Sequence, residues 1–221
     1  TGVQTCALPI YLMFSALLAY PLSVKTLPYR RQITFFVFFT MLFNGGLVPT
    51  YLMYVNYFHI KNTIWALIIP NLLLSANNVL MIRSYFMTSI PEALYEAAKI
   101  DGAGQLRIFA QIILPISKPI IATIALFAAF GYWNDWFQAS LYISDKNLQT
   151  LQSMLNNIQN NIEYIANNPY GGLSLQQYKA SMPTESVRMA IAIIIVVPIA
   201  CVYPFFQKYF ISGLTIGSVK G

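Results

Sequence analysis

Charged residues are so sparse along this chain that they mark the boundaries between long apolar stretches. Lys, Arg, Asp and Glu are absent from residues 32–60, 62–82, 119–134 and 189–207, and residues 10–24 form a further apolar run. A helix needs about 20 mainly apolar residues to cross the hydrocarbon core of a bilayer. The pattern therefore predicts membrane-spanning helices. The five predicted spans lie near residues 10–23, 33–53, 63–82, 117–137 and 187–206.

Two of these spans have features of their own. The uncharged run 119–134 is short, but Lys118 can snorkel, and Trp133 and Trp136 suit the membrane interface, so we expect a span over about 117–137. In the second span, Asn44-Gly45-Gly46 is followed by Pro49. These residues predict a kink, which either serves packing or acts as a gate.

The composition narrows the class of protein. Hydrophobic residues make up 57% of the chain and charged residues only 9%, against roughly 25% charged in soluble domains. We therefore predict an all-α, polytopic membrane protein. Although the net charge is +6, the basic residues are isolated between apolar runs, which excludes a nucleic-acid-binding surface. Cys6, Cys201 and the single His59 indicate neither a disulfide framework nor a metal site.

The basic residues also predict an orientation. Connections numbered alternately carry nine Lys or Arg on one side and four on the other. The positive-inside rule then places residues 24–32, 83–116 and the tail 207–221 in the cytoplasm, and residues 54–62 and 138–186 outside. Residues 1–10 resemble the translation of a sequencing adapter. We expect them to be non-native, with the native start missing and a single transmembrane domain over 11–221.

The inner connection, 83–116, is too long for a simple turn. Ser89-Ile-Pro-Glu92 has the pattern of a capping box and predicts a short helix through Ile100. Gly102-Ala-Gly104 predicts a stop and a sharp turn. A second short helix is expected from Gln105 to Ile113, ended by Pro115.

The outer connection, 138–186, is rich in Asn and Gln. Apolar residues recur in it at steps of three and four, which predicts an amphipathic helix. Asn167-Asn-Pro-Tyr-Gly-Gly172 should break that helix. Its apolar face could cap the membrane domain or dock an external partner, and periodicity does not separate the two. The apolar positions are Leu148, Leu151, Leu155, Ile158, Ile162 and Ile165.

One motif in the inner connection carries a functional signal. Glu96-Ala97-Ala98 is followed after three residues by Gly102 and after nine more by Ile112-Ile113-Leu114-Pro115. This spacing resembles the EAA loop of permease subunits in binding-protein-dependent ABC importers. The string from Ser89 to Ala103, the segment Gly131–Trp136 and the ending Gln207–Gly221 are most similar to the carbohydrate branch related to maltose permeases. The long Asn-rich outer loop is closer to oligosaccharide-importing relatives.

The resemblance implies a specific assembly. Such permeases usually have six spans, so the first would be missing here. A second permease subunit, two ATPase subunits and an extracytoplasmic sugar-binding protein would complete a sugar importer in the bacterial cytoplasmic (inner) membrane. This chain would bind no cofactor, and ATP-Mg would reside on the ATPase. The implied ATPase-coupling residues are Glu96, Ala97, Ala98, Asp101, Gly102, Ile112, Leu114 and Pro115.

The chemistry of these residues agrees with that role. Glu96 projects a charge from a short helix, Ala97 and Ala98 permit close approach of another backbone, and Gly102 allows a turn that a Cβ would strain. Gly213–Lys220 has the wrong spacing for a phosphate-binding loop. We therefore expect a non-catalytic subunit.

Polar residues within spans are candidates for the transport pathway. Asn71, Ser75 and Asn78 are spaced to share one helical face, where amides and a hydroxyl could bind sugar hydroxyls. Interhelical hydrogen bonding explains them equally well.

Three other functions are alternatives to a sugar permease, and the sequence disfavours two of them. An ABC permease for a non-sugar solute shares the EAA loop. A secondary transporter should carry ionisable residues deep within its spans, and no such residue is found. A membrane enzyme is disfavoured by the near absence of His and of clustered carboxylates.

Overall fold

Every regular element in the described part of the chain is helical. The computed structural model describes residues 2–70, 74–167 and 184–218. The helices are α1 (Gly2–Ser23), α2 (Arg30–Leu42), α3 (Leu47–Leu52), α4 (Trp65–Ile68), α5 (Ala76–Ser89), α6 (Glu92–Ile100), α7 (Gln105–Ile108), α8 (Leu114–Ile116), α9 (Lys118–Asn134), α10 (Phe137–Tyr142), α11 (Leu151–Asn167) and α12 (Thr184–Ser218). Two π-helical turns, Met53–Tyr57 and Phe109–Ile113, continue α3 and join α7 to α8. The all-α prediction is confirmed for these residues.

The helices long and apolar enough to cross a membrane are fewer than the five predicted spans. Within the described residues, one helix segment, Ser186–Pro204, meets both conditions. Two bent pairs would each make a further span: Arg30–Leu42 with Leu47–Tyr57, and Gln105–Ile116 with Lys118–Asn134. The described helices thus provide up to three spans by length and composition, and the count of five remains a prediction.

The first bend confirms the predicted kink. The two arms of the pair meet at 109°. Gly46 has a φ of +87°, a conformation that L side chains rarely adopt, and its N–H donates to the Asn44 side-chain oxygen at 3.0 Å. The residues that predicted the break therefore form it.

The predicted span 63–82 is not one helix. Its described parts are α4, which ends at Ile68, and α5, which begins at Ala76 and continues to Ser89. Pro70 lies between them and cannot donate the backbone hydrogen bond that a continuous helix needs. Because α5 passes the predicted boundary at residue 82, Arg83 is part of a helix rather than of a loop.

Helix α1 lies at the centre of the main hydrophobic cluster. It contacts α2, α4, α5 and α9. Ser15, Ala16 and Ala19 are almost fully buried along it. Small side chains allow neighbouring helices to approach closely, as is common in membrane proteins. Larger residues from the other helices fill the cluster: Val79, Ile82, Phe86, Ile108, Ile113, Ile124 and Tyr132.

A second cluster joins the two predicted outer connections. Tyr142 of α10 is buried and stacks on Tyr51, with 5.5 Å between the ring centroids. The Asn62 side-chain oxygen accepts the backbone N–H of Asp145 at 3.2 Å. The backbone N–H of Asn62 donates to the Tyr142 carbonyl at 3.0 Å. Residues 54–62 and the start of 138–186 therefore lie together, as they should if they share one side of the membrane.

The amphipathic helix predicted in the outer connection is present as α11. Leu155 and Ile162 are buried on one face, and the helix contacts α10 and α12. It ends at Asn167, the start of the predicted break. Residues 168–172 of that break lie outside the described residues.

Candidate functional site

The helix that carries Glu96 starts differently from the prediction. No capping box forms, because Ser89 is still the last residue of α5 and Ile90 and Pro91 are extended. Pro91 precedes α6 and no side chain caps the helix start. Glu92 instead forms an ion pair with Lys25, which follows α1. The residue expected to cap the helix locally thus connects it to the turn that follows α1.

Helix α6 ends in a Schellman motif centred on Gly102. The Ala103 N–H donates to the Ala98 carbonyl at 2.9 Å, and the Gly102 N–H donates to the Lys99 carbonyl at 3.0 Å. Gly102 has a φ of +71°, and a Cβ there would meet no atom within 4 Å. The need for glycine therefore comes from the backbone conformation alone. This confirms the predicted stop and turn.

An aromatic cluster seats α6 on α1. Tyr20 of α1 stacks on Tyr95 with 6.4 Å between ring centroids and lies 5.2 Å from the ring of Phe109. The Tyr20 hydroxyl donates to Gln105 Oε1 at 2.8 Å. Ala98 is only 6% exposed within the main cluster. These contacts hold both short helices against α1.

The two faces of α6 have opposite character. Ala98 points inward, whereas Glu96, Ala97, Ile100, Asp101 and Gly102 are exposed. Consecutive helical residues are separated by about 100°, so Ala97 and Ala98 cannot share a face. Ala97 is therefore accessible from outside, while Ala98 permits close packing within this chain. The outer face also presents apolar groups, since Ile100 is 85% and Leu106 is 76% exposed.

The second half of the motif packs inward. Ile112 and Leu114 contact the main cluster and are half-buried, while Pro115 is exposed. Pro115 does not end the helix as expected, because it lies in the first turn of α8, where a missing N–H is tolerated. The chain turns instead at Ser117, with 79° between the segments on either side.

A cleft of about 390 Å³ lies beside α6. It is bounded by the ends of α1 and α5, and Lys25, Glu92, Glu96 and Lys99 line it. The Lys25–Glu92 pair is solvent-exposed, with 66% and 56% of the two side chains accessible. Glu96 therefore lies at the edge of a charged, open surface.

The three candidate pathway residues do not form one described helical face. Asn71 lies outside the described residues. Ser75 is extended and precedes α5, so the regular spacing does not continue into the helix. Asn78 donates its side-chain N–H to the Tyr11 hydroxyl, an interhelical bond of the kind that packing predicts. Their role in a pathway stays a prediction.

Asp135, adjacent to the interfacial tryptophans, has a structural role. Its carboxylate accepts the Gln138 N–H at 3.1 Å at the start of α10, and its carbonyl accepts the Thr150 hydroxyl at 3.3 Å. It therefore joins α9, α10 and the approach to α11.

Sequence reasoning missed Tyr20, Gln105 and Lys25. Tyr20 and Gln105 are 85 residues apart, and each residue alone looks like an ordinary interfacial or loop side chain. Only the packing of α6 and α7 on α1 brings them together.

Within the described residues, every regular element is helical, and up to three helices or bent helix pairs are long and apolar enough to span a membrane. A family model described as binding-protein-dependent transport system inner membrane component matches residues 6–216. The chain belongs to this family. That membership decides against the secondary-transporter alternative.

Two relatives from Bacillus subtilis (strain 168) extend over nearly the whole chain. Protein LplC is 41% identical over 212 residues, which cover 96% of this chain and 69% of LplC. The polygalacturonan/rhamnogalacturonan transport system permease protein YtcP is 39% identical, with 96% of this chain and 72% of YtcP covered. Both likenesses include the loop described above.

A solved structure has the same fold. It is the crystal structure of a bacterial ABC transporter involved in the import of the acidic polysaccharide alginate. One of its chains is 28% identical, with a TM-score of 0.71, and the match covers 94% of this chain and 74% of that chain. The arrangement of helices is therefore that of an ABC importer subunit.

Proposed function

We propose that this chain forms half of the translocation pathway of an ATP-driven bacterial oligosaccharide importer. In this proposal, residues 90–104 receive the movement of a cytoplasmic ATPase subunit and pass it to α1, α5 and α9. The observation that carries the proposal is the shape of α6: a helix fixed at its end by Gly102, buried on one face and exposed on the other.

The packing of α6 and α7 on α1 explains how a force on α6 reaches the spans. Ala98 and Tyr95 press against the main cluster, and the Tyr20–Gln105 hydrogen bond connects α7 with α1. Closely packed interiors transmit displacement rather than absorb it. Movement of the loop is therefore delivered to α1 across the packing interface as well as to α5 and α9 along the chain.

The outer face of α6 has the properties of a contact surface. It combines exposed Ile100 and Leu106 with the small Ala97 and the charged Glu96. Exposed apolar groups rimmed by polar ones are typical of protein interfaces. We assign this face to a cleft of the ATPase subunit, which carries ATP-Mg and the hydrolytic residues, so this chain is not an enzyme.

The relatives favour sugars as the transported solute. YtcP is named for polygalacturonan and rhamnogalacturonan, and the neighbouring structure belongs to an alginate importer. A melibiose/raffinose/stachyose import permease protein, MelC of Bacillus subtilis (strain 168), is 28% identical over 218 residues. A second permease subunit and an extracytoplasmic sugar-binding protein complete the proposed assembly.

Charge reversal at Glu96 tests this function. In the reconstituted complex, Glu96→Lys should lower ATPase retention and oligosaccharide uptake together, while membrane insertion stays normal. Glu163→Lys, an equal charge reversal at an exposed position of α11, is the matched control for ATPase retention. Wild-type retention and uptake in Glu96→Lys would contradict the proposed coupling.

A further inference from the structure

Three arginines line one cleft between α2 and α5. The cleft has a volume of about 680 Å³, and Arg30, Arg31 and Arg83 all contribute to its wall. None of them belongs to the coupling loop, which we define as residues 90–104, and the proposed function does not use them. Their convergence therefore needs its own explanation.

The positive charges in this cleft have no carboxylate partner within the described residues. The ion pair that the described residues form, Lys25–Glu92, lies outside this cleft. One Arg30 N–H group contacts the sulfur of Met87 at 3.1 Å, a weak acceptor, and Arg83 Nε donates to the Leu22 carbonyl at 2.9 Å. Burial, and then the nearby Arg30 guanidinium, lower the pKa of Arg83. A guanidinium has five N–H donors, so most donors of these three arginines make no hydrogen bond within the described residues.

The predicted spans place this cleft at the boundary between membrane and water. Arg30 and Arg31 immediately precede the predicted span 33–53, and Arg83 immediately follows the predicted span 63–82. Helices α2 and α5 contact each other, so these two boundaries meet in space. Tyr29, which also lines the cleft, suits this interfacial level.

Two phenylalanines line the cleft beside the polar Gln32 and Thr34. Phe35 and Phe38 lie one to two helical turns beyond Arg31 and line the same cleft, where they are 60% and 42% exposed. Helix α2 has no buried residue. The cleft thus combines a cationic end at the membrane surface with an aromatic wall toward the hydrocarbon, which matches an amphiphile with an anionic head.

From this charge complementarity we propose that the cleft binds the phosphate headgroup of an anionic phospholipid, with the acyl chains along the phenylalanines of α2. Basic pockets between membrane helices are suited to anionic headgroups. Arginine presents a planar fork of donors that fits phosphate oxygens. The site lies between α2 and α5, next to the attachment of the coupling loop.

Lipid retention by the purified transporter complex tests the proposal. The complex is exchanged into nanodiscs with equal amounts of phosphatidylglycerol and phosphatidylcholine, and retained lipid is counted by native mass spectrometry. The wild-type complex should retain phosphatidylglycerol preferentially. Because a surface cation contributes on the order of fivefold, Arg31→Gln should lower retention about fivefold. The triple variant Arg30→Gln/Arg31→Gln/Arg83→Gln should lower it by on the order of a hundredfold.

Two controls make the result decisive. Lys61→Gln/Lys118→Gln/Lys146→Gln removes the same charge from exposed positions outside this cleft and outside α6 and α7, and should retain lipid as the wild type does. Arg31 is exposed, so its single substitution tests the site without disturbing packing. Equal retention of the two lipids, or equal loss in both triple variants, would overturn the proposal. Displacement by millimolar inorganic phosphate would assign the site to a free anion and also overturn it.

Discussion

Helices α6 and α2 both adjoin α1 but meet the rest of the molecule in opposite ways. The short α6 buries Ala98 in the main cluster and is joined to α1 through the Tyr20 and Tyr95 rings. The longer α2 has no buried residue and exposes Phe35, Phe36 and Phe39. Helix α6 therefore has a buried anchor within this chain, whereas α2 presents an apolar surface that lipid or a second subunit must cover.

This difference separates two uses of apolar surface. The seat of α6 uses it to make a rigid junction within the chain, so that a load applied outside is transmitted inward. Helix α2 leaves its apolar side chains exposed, which suits an apolar environment such as the lipid hydrocarbon. Variants that remove buried contacts should lower stability or coupling more than variants that change exposed side chains.

The largest effect should follow truncation of a buried phenylalanine. Phe86 of α5 is 1% exposed and Phe36 of α2 is 67% exposed. Phe86→Ala should therefore cost about 3–5 kcal/mol of stability. Phe36→Ala should stay within about 0.5 kcal/mol. Unfolding midpoints in detergent measure both, and equal losses would show that α2 is packed within the chain after all.

The next effect concerns the end of α6. Gly102→Val should introduce about 1–3 kcal/mol of backbone strain, because φ is +71°, and should turn the outer face away from its partner. Gly104, with a φ of −68°, has open space around it, so Gly104→Val is the matched control. We expect stimulated ATP hydrolysis and uptake to be lost only in Gly102→Val. Normal coupling in Gly102→Val would show that the turn at Gly102 is not needed for coupling.

A smaller effect should follow loss of the hydroxyl that joins α1 to α7. Tyr20→Phe keeps the ring stacking but removes the hydrogen bond to Gln105, worth about 1 kcal/mol. We expect unchanged ATPase retention and a severalfold lower uptake per ATP hydrolysed. Tyr85→Phe, a hydroxyl removal elsewhere, controls for general effects. An unchanged ratio of uptake to hydrolysis would show that this bond does not participate in coupling.

The smallest effect should come from the exposed ion pair. Lys25→Met removes the partner of Glu92, but both side chains are more than half accessible. Surface pairs contribute about 0–1 kcal/mol. Stability in detergent should change by less than that amount, and the change should shrink further at high salt. A loss comparable with Phe86→Ala would mean that this pair, rather than the aromatic seat, holds α6.

The sequence predicted what depends on local chemistry. The turn at Gly102, the break at Asn44–Gly46 and the amphipathic α11 all follow from residues near one another in the chain. The capping box failed because α5 continues to Ser89 and uses the residue expected to start α6. The seat of α6 could not be predicted, since Tyr20 and Gln105 meet only through tertiary packing.

Disulfide crosslinking tests the central claim most directly, namely that the outer face of α6 docks on the ATPase. Ala97 is exposed and Ala98 is 6% exposed, so adjacent cysteine substitutions sample one outward-facing and one inward-facing position. In a chain with Cys6 and Cys201 replaced by serine, Ala97→Cys should crosslink to single cysteines placed in the ATPase cleft, and Ala98→Cys should not. No crosslink from Ala97→Cys, or equal crosslinking from both positions, would contradict the account.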